Sequence, residues 1–79
     1  MRIDKFLKNS RIIKRRTVAK EACEQGRILV NGKEAKPGTE VKVGDEVEIN
    51  FGNSQMNIEI MELLEHVPKD KAESLYKVK

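Results

Sequence analysis

Apolar residues recur at two different periods along this 79-residue chain, helical in the first third and alternating afterwards. Ile3, Phe6 and Leu7 fall at i, i+3 and i+4 and mark the buried face of a short first helix. At 100° per residue, Arg2, Lys5 and Lys8 share the opposite side. A basic connector, 9–16, follows, with the apolar pair Ile12-Ile13 as its anchor. Thr17 then reads as the N-cap of a second helix that buries Val18, Ala19, Ala22 and Cys23 and stops at Gly26. After Gly26 the pattern becomes extended. Residues 27–30 form a strand, Asn31-Gly32 is a type I′ hairpin turn, and 34–36 is the return strand. Val41 and Val43 lead to a turn at Gly44-Asp45. Val47, Ile49 and Phe51 alternate with Glu46, Glu48 and Asn50, and Met56, Ile58 and Ile60 repeat that alternation. Pro68 opens a closing helix whose apolar stripe is Ala72, Leu75 and Tyr76. The expected fold is therefore α+β: two N-terminal helices packed on a small, mainly antiparallel sheet of four to five strands, plus a C-terminal helix.

Charge changes this picture from a fold to a surface. Eight of the first twenty residues are Lys or Arg, against the single acid Asp4. Residues 1–33 carry ten basic and three acidic side chains, and 34–79 carry six and ten, so the net +3 conceals a strong asymmetry. Such separation costs self-repulsion at the basic end, which a polyanionic partner relieves. Arg2, Lys5, Lys8, Arg11, Lys14, Arg15, Arg16 and Lys20 are the candidate phosphate contacts. Arg2 and Arg16 lead the set, because a guanidinium binds phosphate through two parallel donors and each stands beside a predicted helix N-terminus. The three aromatics, Phe6, Phe51 and Tyr76, all fall at predicted core positions. Without exposed stacking platforms, the expected ligand is folded RNA recognised through shape and backbone rather than a single strand.

Other chemistries find little support. One cysteine excludes an intramolecular disulfide, and Cys23 reads as a small buried hydrophobe. His66 has no nucleophile or second ligand beside it, no metal-ligand spacing or glycine-rich phosphate loop occurs, and neither an enzyme nor a cofactor is expected. No apolar run approaches the ~20 residues needed to cross a bilayer, so a cytoplasmic protein without membrane contact is expected. Asp4, in the first helical turn, is accounted for by the helix dipole or by an ion pair with Lys8. Glu21 and Glu24 interrupt the basic face and can orient a neighbouring arginine, while Asn31 and Gly32 make the turn. Lys33 beside them extends the RNA contact if that turn faces the same way as the helices.

The stretches RIDKFL, KRRTVAKEACEQGRILVNGK and VKVGDEVEI, spanning residues 2–51, resemble the S-four RNA-binding domain, named for ribosomal small-subunit protein four. The resemblance implies an S-four-like fold of the αL type whose two helices and adjacent turn grip structured RNA. It also implies one domain over 1–79, with 52–79 supplying a closing strand and helix. Opening and size are similar to the small members of that family that act in ribosome-associated quality control, and to their relatives, the heat-shock protein fifteen group. For those members the implied partners are large-subunit rRNA, a peptidyl-tRNA and RqcH on the same particle. The implied task is holding the tRNA during alanine tailing of stalled chains, as a monomer. Arg2 and Arg16 align with the RNA-gripping arginines of that group. Alternatives are an rRNA chaperone or assembly factor, a subunit-recycling factor like the heat-shock relatives, and a targeting subunit for a separate enzyme.

Overall fold

The computed structural model describes residues 1–79 and begins with two helices, α1 (Ile3–Asn9) and α2 (Arg16–Glu24). Before α1, the chain bridges Arg2 to Glu40 in antiparallel fashion, and the Met1 ammonium donates to Glu40 at 2.8 Å. Ile3 N–H bonds to the Thr39 carbonyl and Asp4 N–H to that of Pro37, so the start of α1 is stitched to the 37–41 loop. α2 ends in the expected left-handed glycine. Gly26 has φ +75°, and the N–H groups of Gly26 and Arg27 return to the carbonyls of Cys23 and Ala22.

Five strands follow: β1 (Ile28–Val30), β2 (Lys33–Glu34), β3 (Glu46–Asn50), β4 (Gln55–Ile60) and, after a 3-10 helix over Lys69–Leu75, β5 (Tyr76–Val78). The sheet order is β2-β1-β3-β4-β5, with every neighbouring pair antiparallel. Asn31 and Gly32 adopt the positive φ values, +52° and +84°, that the type I′ turn requires. Register then follows from alternation. Ile28 faces Ile49, and Val47 lies between Val30 and Ile58, on the side that the helices cover. There Ile3, Phe6 and Leu7 of α1 and Ala19 and Cys23 of α2 join Ile28, Val47, Ile49, Ile58, Ile60 and Leu75 in one core cluster. Each fully buried Ile, Leu or Phe contributes roughly 1.5–3 kcal/mol relative to exposure, so this cluster holds the small fold. The opposite face is solvated and acidic. Glu46 pairs directly with Glu59, a repulsive arrangement that Lys79 relieves by reaching both carboxylates at 3.6 and 3.5 Å.

Several expectations need correction. The fifth strand is Tyr76–Val78 on the far edge of β4, so Tyr76 belongs to a strand and not to the closing helix, while Val41 is buried and Val43 exposed ahead of the turn at Gly44-Asp45. The closing helix is 3-10 rather than α. Lys71 N–H and Ser74 Oγ bond three residues back, and that three-residue repeat stacks Ala72 under Leu75 on the buried side. Tyr76 lies beyond it and is only half-buried in β5. β3 ends at Asn50, whose side chain turns the chain by accepting from Gly52 N–H, so Phe51 is 45% exposed instead of core. Met61 and Val18 are likewise exposed. α2 starts at Arg16, with Arg15 as an N-cap that makes no side-chain bond and Thr17 exposed inside the helix.

Candidate nucleic-acid interface

The two leading arginines meet at a buried carboxylate. Asp4 is 2% exposed, and Arg2 Nη2 donates to its Oδ2 at 3.2 Å, while Arg16 Nε lies 3.4 Å from the same oxygen. Arg16 Nη2 is 3.5 Å from Oδ1, which also accepts the Lys5 N–H at 2.8 Å. Arg2 and Arg16 side chains remain 48% and 47% exposed, so each guanidinium has one edge on Asp4 and donors left over for solvent. Arg2 is framed further by Gly38, where even a Cβ would come within 3.8 Å of its Nε. A buried charge persists only when paired and hydrogen-bonded, so Asp4 fixes two long cationic side chains whose outer edges face the same solvent. Asp4 therefore pairs not with Lys8 but with Arg2, two residues before it, and with Arg16, twelve residues after it, which only the packing of α2 beside α1 brings within reach. The signal available was an acid standing alone in the most basic part of the chain.

The two helix starts differ in what they offer an anion. In α1 the first N–H groups are used by Thr39, Pro37 and the Asp4 side chain, so that end is closed. In α2 the N–H groups of Arg16, Thr17 and Val18 make no hydrogen bond to the protein, and Arg16 is the first residue of that helix. That end can take a phosphate oxygen on main-chain donors and arginine together.

The remaining basic residues disperse. Lys5 forms an ion pair with Glu65 in the segment after β4, and this ammonium holds the Glu65 carboxyl below its ordinary range. Lys8, Arg11, Lys14, Arg15 and Lys20 are exposed and join none of the molecule's ion pairs. Arg11 has φ +62°, the left-handed position just past α1 where glycine is usual. Glu21 and Glu24 pair with no arginine. Asn31 does more than turn the chain: it donates to Asp45 Oδ1 at 3.2 Å and accepts from Glu46 N–H at 2.9 Å, tying the hairpin to the 42–45 turn. Cys23 is buried, and desolvation, with Asp4 and Glu24 adding, pushes its thiol up to about 11. With the basic cluster on the helices and Glu46, Glu48 and Glu59 on the outer sheet face, the molecule is electrostatically polarised, which orients it toward a polyanion.

A family model of the S4 domain matches residues 1–47. The chain belongs to the S4 domain family. The clamp of Arg2, Asp4 and Arg16 thus lies wholly inside the S4 domain, while Glu65, His66 and β5 lie beyond the matched part. Full-length relatives share this extension. The chain is 61% identical over 79 residues to the "RQC P-site tRNA stabilizing factor" of Halalkalibacterium halodurans, covering all of this chain and 90% of that protein. It is 51% identical over 78 residues to the factor of the same name from Streptococcus pneumoniae, covering 99% and 89%. Among solved structures, the trimeric Heat Shock Protein 15 of Vibrio cholerae superposes with a TM-score of 0.93 at 29% identity, over all of this chain and 81% of that one. The family is non-enzymatic, and no helix is long and apolar enough to cross a membrane.

Proposed function

We propose that this protein is a cytoplasmic, monomeric RNA-binding factor of ribosome-associated quality control that stabilises the P-site tRNA on the large ribosomal subunit. The observation that carries this reading is the arginine clamp: two half-exposed guanidinium groups, held by one buried carboxylate beside the open start of α2. A preorganised pair of planar donors suits the phosphates of a folded RNA, fixing position without reading sequence. The full-length likeness to the tRNA-stabilizing factors supports P-site tRNA as that RNA. In this role the protein contacts large-subunit rRNA and peptidyl-tRNA while RqcH, on the same particle, delivers alanyl-tRNA for tailing. Residues 1–79 act as one RNA-binding unit, and Lys8, Arg11, Lys14, Arg15 and Lys20 supply supporting phosphate contacts beyond Arg2 and Arg16, with Lys5 joining them when its ion pair with Glu65 opens.

Retrieval of the protein from cells, followed by sequencing of bound RNA, tests this reading. Large-subunit rRNA together with tRNA is the expected yield, and recovery of neither refutes it. The likeness to Heat Shock Protein 15 favours one alternative, subunit recycling without tailing. Under that alternative, cells lacking the protein still add alanine tails to stalled chains.

A further inference from the structure

A second cationic site lies at the other end of α1. A cavity of about 460 Å³ opens between the last turn of α1, the 11–14 connector and the segment 65–68. Lys8, Arg11 and Lys14 line it from one side and His66 from the other, with Val67 its one hydrophobic wall. Its volume lies in the range of small-ligand sites, roughly 300–1,000 Å³, but its lining is polar and cationic with a single hydrophobic residue, which suits an anion rather than an apolar ligand. The one acid on its rim, Glu65, is already engaged by Lys5. Lys8, Arg11 and Lys14 have no carboxylate partner, so their mutual repulsion is unrelieved within the molecule.

This cavity is built rather than incidental. The wall at 63–67 is pinned to α1 by Asn9, which donates to the Leu64 carbonyl at 3.0 Å, by the Lys5–Glu65 pair, and by Leu63 and Val67 packed against the core. Opposite it, Arg11 occupies a left-handed backbone position that an L side chain adopts at a cost, in a place where glycine would serve the helix better. Backbone strain of this kind clusters at ligand clamps and active sites, and Arg11 carries it while lining the cavity. None of these residues belongs to the Arg2–Asp4–Arg16 clamp, and α1 separates the two by about 9 Å along its axis.

We infer that the cavity is a second phosphate subsite, in which Lys8, Arg11, Lys14 and His66 take one backbone phosphate of the bound RNA. It rests on the RNA-binding reading above and joins His66, from outside the S4-matched residues, to three cations within them. Two phosphates gripped at opposite ends of one helix fix the line along which the RNA backbone crosses it, which a single clamp cannot do.

Titration of the 15N-labelled protein with inorganic phosphate tests the cavity without any RNA. Saturable shifts at the Arg11 and Lys14 amides and the His66 ring are expected, and the two amide shifts are lost in Lys14→Gln/His66→Gln. Absence of saturable shifts there, or their persistence in that variant, overturns the subsite. Binding to tRNA then separates this inference from the function it rests on. Lys14→Gln/His66→Gln should weaken tRNA binding about tenfold and reduce the slope of log K against log salt by about one. Arg11→Gly should also weaken tRNA binding while raising Tm, so loss of folding cannot imitate the effect. Wild-type affinity in both variants overturns the subsite but leaves the clamp. Phosphate binding in the cavity of a wild-type protein that fails to bind tRNA overturns the RNA-binding reading and the phosphate's assignment to RNA.

Discussion

Replacing Asp4 by asparagine sets two physical effects against each other. The change is nearly isosteric, keeps an acceptor for the Lys5 N–H and removes the charge between Arg2 and Arg16. Charge-assisted hydrogen bonds contribute about 1.5–3 kcal/mol each when dry, but both arginines are half exposed and rehydrate, so a loss of about 1–2 kcal/mol in total is expected. For a domain of this size that lowers Tm by roughly 4–15 °C. RNA affinity is the more telling readout. A carboxylate about 6 Å from a bound phosphate repels it by about 0.7 kcal/mol in water, so charge alone predicts threefold tighter binding. Releasing two arginine side chains costs about 0.5–1.5 kcal/mol each when they must be ordered again. The net expectation is about 2- to 50-fold weaker binding of Asp4→Asn to tRNA, with a salt slope close to wild type because no cation is lost. Fluorescence anisotropy below the variant's melting range measures both. Unchanged or tighter binding would refute the view that Asp4 acts by holding the arginines in place.

Other perturbations follow from the same structure. Arg2→Ala with Arg16→Ala strands the buried Asp4 carboxylate, so a melting point that hardly moves, the simplest expectation for surface arginines, is replaced by a loss of roughly 3 kcal/mol, and Arg→Lys becomes the better binding control. Arg11→Gly trades a left-handed cost of about 1–2 kcal/mol for glycine's own 0.5–1, so chemical denaturation should show a gain of about 0.5–1 kcal/mol. Gly26→Ala forces a side chain into φ +75° and against the Glu34 carboxylate, costing about 1–2 kcal/mol and lowering Tm. The unfolded Cys23 thiol ionises near 9.0 and the folded one only near 11, so the folded state binds more protons between those values. Its stabilising contribution is complete below about pH 9 and disappears as pH rises through 11. Urea titrations of wild type and Cys23→Ala should therefore converge as pH rises over that window, and a difference independent of pH would contradict it.

Local patterning made most of this fold readable. The i, i+3, i+4 spacing of Ile3, Phe6 and Leu7, the glycine after α2, the Asn31-Gly32 turn and the alternation through β3 and β4 each encode their element within a few residues. What could not be read depends on distant partners. Tyr76–Val78 becomes a strand because β4 offers it an edge, and Phe51 is exposed because the chain turns one residue before alternation would bury it. The exposure of Phe51 also removes one premise for folded RNA, since one aromatic does stand free; it lies beyond the C-terminal end of α2, at the opposite end of that helix from Arg16. Charge counting found the basic cluster but not its division into clamp, Glu65 partner and cavity. That division depends on Asp4 and on the 63–67 segment, whose chemistry is invisible until folding brings them against α1.

Co-sedimentation with purified large subunits that either carry or lack peptidyl-tRNA tests the central claim most directly. Wild type should bind tRNA-bearing subunits at least tenfold more tightly than empty ones, and Asp4→Asn should lose most of that preference. Equal binding to both particles, or a preference that survives Asp4→Asn intact, would contradict the account of an arginine clamp built to hold the tRNA.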